Sequence, residues 1–176
     1  MAIDRQKTET VHWHAVFTAS RAEKKVRDRL EELGVECFLP VQTVLRQWTY
    51  RKSRVVVPVI AGLVFVRVGR QEQVKVLQTK GVGAFLRLKG EAGAAVIPDK
   101  QMEDFRFLLD FSEEAVEMTN ENIKAGDLVR VVKGSLRGME GELIRHKGVT
   151  KVLVRIDMLG CAMVNIPASF VEKLNK

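Results

Sequence analysis

The chain has few of the residues that build disulfide frameworks and metal sites. Two cysteines, Cys37 and Cys161, and three histidines occur among its 176 residues. The cysteines lie far apart in apolar, strand-like segments, so we expect buried free thiols. His12, His14 and His146 have no acid, nucleophile or metal ligand at a catalytic spacing. We therefore expect no metal, no cofactor and no enzymatic activity.

Long apolar segments are also absent. The longest, VVVPVIAGLVFV, is interrupted by Pro58 and Gly62 and is shorter than the roughly 18–20 residues of a membrane span. The first ten residues, MAIDRQKTET, contain no apolar signal core, and no phosphate loop of the G-x-x-x-x-G-K-[ST] kind occurs. We expect a soluble, cytoplasmic monomer without a membrane partner.

What the chain does have is positive charge in two blocks. The net charge of +7 divides into +6 over residues 1–111, −4 over residues 112–123 and +5 over residues 124–176. This pattern predicts two basic domains, 1–111 and 124–176, joined by an acidic linker, 112–123. An alternative is that the acidic segment extends the preceding helix.

The first strand and the first helix are marked by clear patterns. VHWHAVFT is rich in β-branched and aromatic residues and predicts a strand with Trp13 in the core and His12 and His14 on an exposed face. SRAEKKVRDRLEELG predicts a helix that starts with a capping box formed by Ser20 and Glu23.

The rest of the first block completes an α+β pattern. ECFLPVQTVLRQW and RVVVPVIAGLVFVRV predict two long strands, with Pro40 and Pro58 at edges or bulges. A short helix at QEQVKVLQTKG, a strand at GAFLRL and a third helix at DKQMEDFRFLLDF follow. The order β-α-β-β-α-β predicts a ferredoxin-like split βαβ domain with one appended helix.

The second block is all β. Strands are predicted at DLVRVV, GELIRH, KVLVRID and AMVNIP, with glycines between them. About fifty residues bury a core only if the sheet curls, so we expect a small barrel of roughly five strands. Gly134, Gly138 and Gly141 then serve tight turns and bent strands.

The densest basic cluster is interleaved with aromatic residues, at the turn between the two long strands. Cations can hold phosphates while rings stack on unpaired bases, so this cluster is a candidate nucleic-acid site. An equally weighted alternative is a solvated hairpin tip whose charges discourage edge pairing. The candidate residues are Arg46, Trp48, Tyr50, Arg51, Lys52 and Arg54.

A second candidate surface lies in VIAGLVFV. Ile60 and Leu63 are three residues apart and cannot both point inward in a regular strand, although Gly62 could mark a bulge. One of them would then lie on an exposed apolar surface of the kind that binds protein partners. The alternative, that both are buried, stays open.

Four segments resemble the NusG family of transcription elongation factors. They are HWHAVFTASRAEKKVRDRL, VVVPVIAGLVFVRV, TKGVGAFL and IKAGDLVRVVKGSLRGMEGELIRH, and the last has the glycine spacing of a KOW motif. The resemblance implies an N-terminal NGN domain, a linker and a C-terminal KOW domain of SH3-like barrel fold.

The resemblance also implies partners. NGN domains of the family bind the clamp helices of RNA polymerase, here through Phe17, Val59, Ile60, Gly62 and Leu63. KOW domains recruit further factors, such as the termination factor Rho or a small-subunit ribosomal protein. The matching loop here is Ser135, Leu136, Arg137, Gly138 and Met139.

Departures from the family pattern indicate a specialised paralogue. Ala61-Gly62-Leu63 stands where the family commonly has P-G-Y, and Leu159-Gly160-Cys161 stands where F-G-R is frequent. The chain most resembles the operon-specific antiterminators of the RfaH-like and UpxY types. The missing arginine puts recruitment of Rho in doubt, and the basic turn would contact non-template DNA or nascent RNA.

Two other functions stay open. One is an RNA-binding or ribosome-associated basic module, in which the charge acts directly and the apolar residues are core. The other is a small enzyme, retained only because ferredoxin-like folds host many activities. The alternation in KVLVRID favours a stable barrel over a fold-switching C-terminal domain.

Overall fold

The computed structural model describes residues 9–175, so residues 1–8, on which the expectation of no signal core largely rests, lie outside it. The chain divides into two compact units. One comprises residues 9–39 with Gly62–Val96, and the other comprises Pro40–Ala61 with residues 97–175.

Strands dominate both units. In chain order the strands are β1 (His12–Thr18), β2 (Glu36–Phe38), β3 (Val41–Gln47), β4 (Lys52–Pro58), β5 (Leu63–Val68), β6 (Val82–Phe85), β7 (Glu117–Thr119), β8 (Asp127–Val131), β9 (Glu140–His146), β10 (Val149–Ile156), β11 (Gly160–Asn165) and β12 (Val171–Lys173). The α-helices are α1 (Glu23–Glu32), α2 (Glu72–Leu77) and α3 (Asp99–Phe111), and a 3₁₀ turn spans Ala168–Phe170.

The first unit has the predicted split βαβ topology. Its four strands lie in the order β2-β5-β1-β6, and all neighbours are antiparallel. Central β1 pairs with β5 from His12↔Val68 to Phe17↔Leu63. α1 packs on this sheet, where the Cys37 Sγ donates to the Arg27 carbonyl at 3.7 Å. The order of strands and helices in the sequence therefore predicted the topology of this unit.

The two long predicted strands are each divided in two by a proline region. Pro40 separates β2 from β3, and β4 ends at Pro58. Because proline donates no ladder hydrogen bond, neither strand continues in one sheet. β2 and β5 stay in the four-stranded sheet, while β3 and β4 form a separate two-stranded hairpin.

The predicted capping box is wrong. α1 begins at Glu23 without a side-chain cap, and Arg21 has a left-handed φ of 59° that separates Ser20 from the helix. Glu23 is instead buried, and its Oε1 accepts the Gly62 N–H at 2.7 Å. Its carboxylate therefore holds the chain just before β5 rather than the start of its own helix.

The second unit is built on a six-stranded antiparallel sheet in the order β12-β8-β9-β10-β11-β7. α3, which the sequence pattern appended to the first domain, packs instead against β10, and its Met102, Phe105 and Leu108 are buried. A cluster of Ile144, Leu153, Cys161 and Met163 forms part of the core.

Both faces of β10 are covered, although its sequence alternates. Val152, Leu153 and Val154 are all at most 5% exposed. The polar side is accommodated by ion pairs, since Lys151 Nζ meets Glu117 at 2.7 Å and Arg155 binds Glu142 through two nitrogens. Alternation predicted the strand but not the covering of its second face.

The acidic segment 112–123 contains a strand. β7 adds to the edge of β11 through the pairs Met163↔Glu117, Ala162↔Met118 and Cys161↔Thr119. Glu114 accepts from Asn165 at 2.9 Å. This part of the predicted linker is therefore attached to the sheet by backbone pairing, by the hydrogen bond from Asn165 and by the ion pair between Lys151 and Glu117. It does not extend α3, which ends at Phe111.

Candidate functional site

The candidate nucleic-acid residues lie on one hairpin. β3 pairs with β4 over seven residue pairs, from Val41↔Pro58 to Gln47↔Lys52. The Trp48 N–H donates to the Arg51 carbonyl at 2.8 Å and closes the turn. The prediction of a turn between two strands at this place is confirmed.

The alternation of side chains divides these residues between two faces of the hairpin. Arg46 stands opposite Ser53, and Trp48 and Arg51 follow on the same face. The other face carries the pairs Gln47↔Lys52 and Leu45↔Arg54, with Leu45 69% exposed. Tyr50, in the turn, is 97% exposed. The linear cluster is therefore two separate basic surfaces, a division that period 2 could have indicated.

The Trp48 ring is held across the hairpin. Its Nε1–H donates to the Ser53 Oγ at 2.9 Å, while the residue stays 54% exposed. An indole nitrogen is only a donor, so this bond satisfies its one polar atom, and the exposed part of the ring stays open to packing. Sequence reasoning missed Ser53, because nothing in its linear surroundings distinguishes it.

The hairpin is strongly basic. Residues 41–58 contain Arg46, Arg51, Lys52 and Arg54 and no acidic residue. All four are exposed, and none forms an ion pair with another residue in the described range 9–175. Four uncompensated cations next to exposed rings are suited to phosphate groups and bases.

The base of the hairpin is fastened by Gln42, another residue that the sequence did not single out. Its Oε1 accepts the Val116 N–H at 2.9 Å, and its Nε2 donates to the Val116 carbonyl at 3.2 Å. The side-chain amide therefore satisfies both backbone groups of one residue. The linear sequence gives no indication of this contact, because Val116 is 74 residues away from Gln42.

In the first unit, Phe17 and Leu63 are directly opposite in the β1–β5 pair but differ in exposure. Phe17 is 45% exposed, whereas Leu63 is 2% exposed. The expectation of Leu63 on an apolar surface is therefore wrong in this structure, because neighbouring strands and core cover it. Gly62 has a φ of 71° and accepts the Thr18 N–H at 2.9 Å.

Val59 and Ile60 belong to the second unit and are both half-buried. The Val59 N–H donates to the Pro40 carbonyl at 2.8 Å, which fastens the end of the hairpin. Of the Ile60 and Leu63 pair, Leu63 is the inward residue. The left-handed Gly62 between them is the irregularity that the three-residue spacing required.

The loop between β8 and β9 presents only part of its predicted contact residues. Leu136 and Met139 are 6% and 4% exposed and belong to the core, which corrects their expected role. Ser135, Arg137 and Gly138 are exposed. Gly138 has a φ of 93°, and its N–H donates to the Val131 carbonyl at 2.8 Å, so a side chain here would strain the turn.

The predictions for the histidines and Trp13 had mixed outcomes. Trp13 is buried and His12 is exposed, as expected, but His14 is 3% exposed. Its Nδ1 lies 2.8 Å from the Ala95 carbonyl, and its ring meets Phe85 edge-on. Burial is the main cause that lowers the pKa of His14, so the imidazole is neutral near pH 7.

Residues 9–175 contain no group of three or more histidine, cysteine, aspartate or glutamate side chains placed to hold a metal. None of the helices in the same range is long and apolar enough to cross a membrane. The candidate residues that stay exposed are cations, aromatic rings and loop residues, on a mixed α/β scaffold.

The chain belongs to the NusG family. Residues 11–106 match the family model described as transcription termination factor NusG. This family consists of transcription factors without enzymatic activity, so the expectation that the chain is not an enzyme is confirmed on that ground. A search of curated proteins finds no significant match.

One solved structure agrees with this fold. A Thermotoga maritima NusG structure described as "Domain interaction in Thermotoga maritima NusG" is 22% identical, with 94% of this chain and 98% of that chain covered and a TM-score of 0.50. A chain of the MjSpt4:Spt5 complex is 17% identical in each of two crystal structures. In conformation B the match covers 93% of this chain and 97% of that chain, at a TM-score of 0.31. In conformation A it covers 93% of this chain and 99% of that chain, at a TM-score of 0.29. The last two scores are too low to bear on the fold.

Proposed function

We propose that the protein is an elongation factor or antiterminator of the specialised RfaH-like or UpxY type. Residues 1–111 would form an NGN domain that binds the clamp helices of bacterial RNA polymerase. Residues 124–176 would form a KOW domain that recruits another factor, and residues 112–123 would join the two. The observation that carries this proposal is the family match over residues 11–106, a range that contains all five expected polymerase-binding residues. The protein would act in the cytoplasm as a monomer.

Phe17 is the strongest candidate contact for polymerase in the first unit. A phenylalanine that is 45% exposed at the end of a central strand leaves a large apolar ring available to a partner. The adjoining backbone is well supported, since Gly62 bonds to both Thr18 and buried Glu23. Leu63 is buried, so its role would be to pack in the core next to this surface and not to contact polymerase. Val59 and Ile60 complete the proposed set.

The hairpin β3–β4 would contact nucleic acid exposed in the transcribing complex, either non-template DNA or nascent RNA. Its four exposed cations and absence of acidic residues support this role.

In the second block, the accessible part of the loop that would recruit another factor is Ser135, Arg137 and Gly138. Cys161 stands at the position where the family often has arginine, which counts against recruitment of Rho.

The polymerase contact is tested by capture on bacterial core RNA polymerase across a salt series. Phe17→Ala should weaken capture by about tenfold or more, as loss of an interface anchor does. Leu33→Ala is a matched control, because Leu33 is an apolar residue of the same unit that is 42% exposed and lies outside the proposed surface. Equal capture of the two variants would reject the Phe17 surface.

A second candidate function is an RNA-binding or ribosome-associated module, which the basic hairpin favours. Its binding to nucleic acid would fall steeply with salt through counterion release, and polymerase capture would not occur. Capture that persists in salt and depends on Phe17 instead supports the elongation factor, since apolar contacts are screened little.

A further inference from the structure

The exposed indole of Trp48 is held in place by a hydrogen bond. A hairpin tip that attracts phosphates by charge alone needs no such fixed ring. An exposed tryptophan without a polar partner samples several rotamers, and ordering it on a ligand costs conformational entropy. Here the bond from Nε1 to the Ser53 Oγ joins the two strands and restricts the ring. The ring is therefore oriented before any ligand arrives, which lowers the cost of binding.

The cations nearest to this ring share its face. Arg46 precedes Trp48 by two residues on β3, and Arg51 faces it across the turn. Residues two apart on a strand are separated by roughly 6.5–7 Å, which is within the reach of an arginine side chain. The guanidinium group suits phosphate geometry better than an ammonium does, so both arginines can hold the backbone of a strand whose base lies on the indole.

The opposite face has charge without a ring. Lys52 and Arg54 stand there with Leu45 and Gln47. Tyr50 is almost fully exposed, and no hydrogen bond joins it to another residue of the described range. A ring without a hydrogen bond to hold it loses more conformational entropy on binding, so we expect Tyr50 to contribute less to the binding free energy than Trp48 does.

We propose that Trp48 is a stacking platform for one unpaired base of a single-stranded nucleic acid, with Arg46 and Arg51 binding the adjacent phosphates and Ser53 positioning the ring. The proposal rests on the nucleic-acid role suggested above for the hairpin. It selects single strands because the faces of bases in a duplex are covered by their stacked neighbours, whereas an unpaired base offers a free face.

The test measures binding of the full chain to labelled oligo-dT and oligo-U of about 12 nucleotides, a length within the usual site size of single-strand binding proteins. A duplex of the same length is the competitor. Trp48→Ala should weaken binding to the better of the two single strands by about tenfold or more. The DNA and RNA arms show which of the two chemistries the hairpin prefers.

Two double variants form a matched pair, since each removes two cations from the same hairpin. Arg46→Ala with Arg51→Ala should weaken binding at least about fivefold more than Lys52→Ala with Arg54→Ala does. Charge alone predicts equal losses and equal changes in salt slope. Equal losses would therefore overturn the platform while leaving electrostatic binding by the hairpin intact.

Fluorescence reports the ring directly. Trp13 is 5% exposed and Trp48 is 54% exposed, so the emission lost in Trp48→Leu belongs to the exposed indole. Quenching of that emission by the oligonucleotide is expected, and its absence in the bound wild type contradicts stacking. Ser53→Ala should reduce both affinity and quenching by about two- to fivefold, and Ser53→Thr, which keeps the hydroxyl, should restore them.

The remaining outcomes are also decisive. Equal binding of duplex and single strands contradicts the platform. A wild-type chain that binds neither oligonucleotide contradicts both the platform and the nucleic-acid role of the hairpin. The polymerase capture that depends on Phe17 is scored separately, so the proposed elongation factor can stand or fall on its own.

Discussion

Two hairpins of the second unit use their basic residues in opposite ways. In β9–β10, Lys151 is buried against Glu117 and Arg155 is bound by Glu142, so charge contributes to the fold. In β3–β4 the four cations have no acidic residue within the hairpin and lie in solvent. A cation that has a partner inside the structure is part of the architecture, whereas one without a partner is available to a ligand.

The largest difference between the hairpins should come from burial. Leu153→Ala on β10 removes a side chain that is 1% exposed and should destabilise the protein by about 2–5 kcal/mol. Leu45→Ala on β3 changes a side chain that is 69% exposed and should alter stability by less than about 0.5 kcal/mol. Urea unfolding followed by circular dichroism measures the free energy of unfolding of both variants. Similar losses of stability in the two would contradict this difference between the hairpins.

The next effect is the pH dependence of the Arg155–Glu142 pair. The hydrogen bond from Arg155 lowers the pKa of Glu142 below its ordinary value of 4.5. A carboxylate with a lowered folded pKa adds stability above its unfolded pKa, and that stability is lost as pH falls through the folded pKa. Glu142→Gln should cost roughly 1–2 kcal/mol at neutral pH and progressively less below about pH 4.5.

Glu140→Gln is the control for this pair. Glu140 binds Arg130 in solvent, where the hydrogen bond from Arg130 also lowers the pKa of the carboxyl group. Water screens that pair, so its removal should change the stability curve less than removal of the Glu142 carboxylate. A larger effect at Glu140, measured by unfolding from pH 3 to pH 7, would contradict the importance given to burial.

An effect of comparable size on stability is expected at the base of the exposed hairpin. Gln42→Ala removes two hydrogen bonds to Val116 and should cost roughly 1–2 kcal/mol, with faster exchange of the Val116 amide. Gln47→Ala is matched on the same strand, because the Gln47 side chain donates to the carbonyl of its sequence neighbour Trp48. Hydrogen exchange that is unchanged in Gln42→Ala would show that the hairpin is held by other contacts.

The smallest effect on stability should come from single cations of β3–β4. Alanine at Arg46 or Arg54 should change the free energy of unfolding by less than about 0.5 kcal/mol. If the hairpin binds a single strand, each cation that contacts a phosphate contributes about 0.7 to the slope of log affinity against log salt. Titration at several salt concentrations checks this, and a slope unchanged in both variants would exclude them as phosphate contacts.

The sequence by itself determined the elements with a strong local period. β1, α1, α3 and β10 lie where their patterns predict, and the β-α-β-β-α-β order predicted the four-stranded sheet. The basic turn between β3 and β4 was also evident from the linear sequence. These features depend on near neighbours in the chain, so a single sequence contains the necessary information.

Only the tertiary structure decided which of these residues are exposed and what they contact. Phe17 and Leu63 are comparable apolar residues on paired strands, yet neighbouring elements cover only Leu63. Leu136 and Met139 enter the core, and β7 joins a sheet edge from a segment whose acidity resembled a linker. The bonds from Gln42 to Val116 and from Trp48 to Ser53 depend on chain pairing in three dimensions, because burial and hydrogen bonding are set by residues distant in sequence.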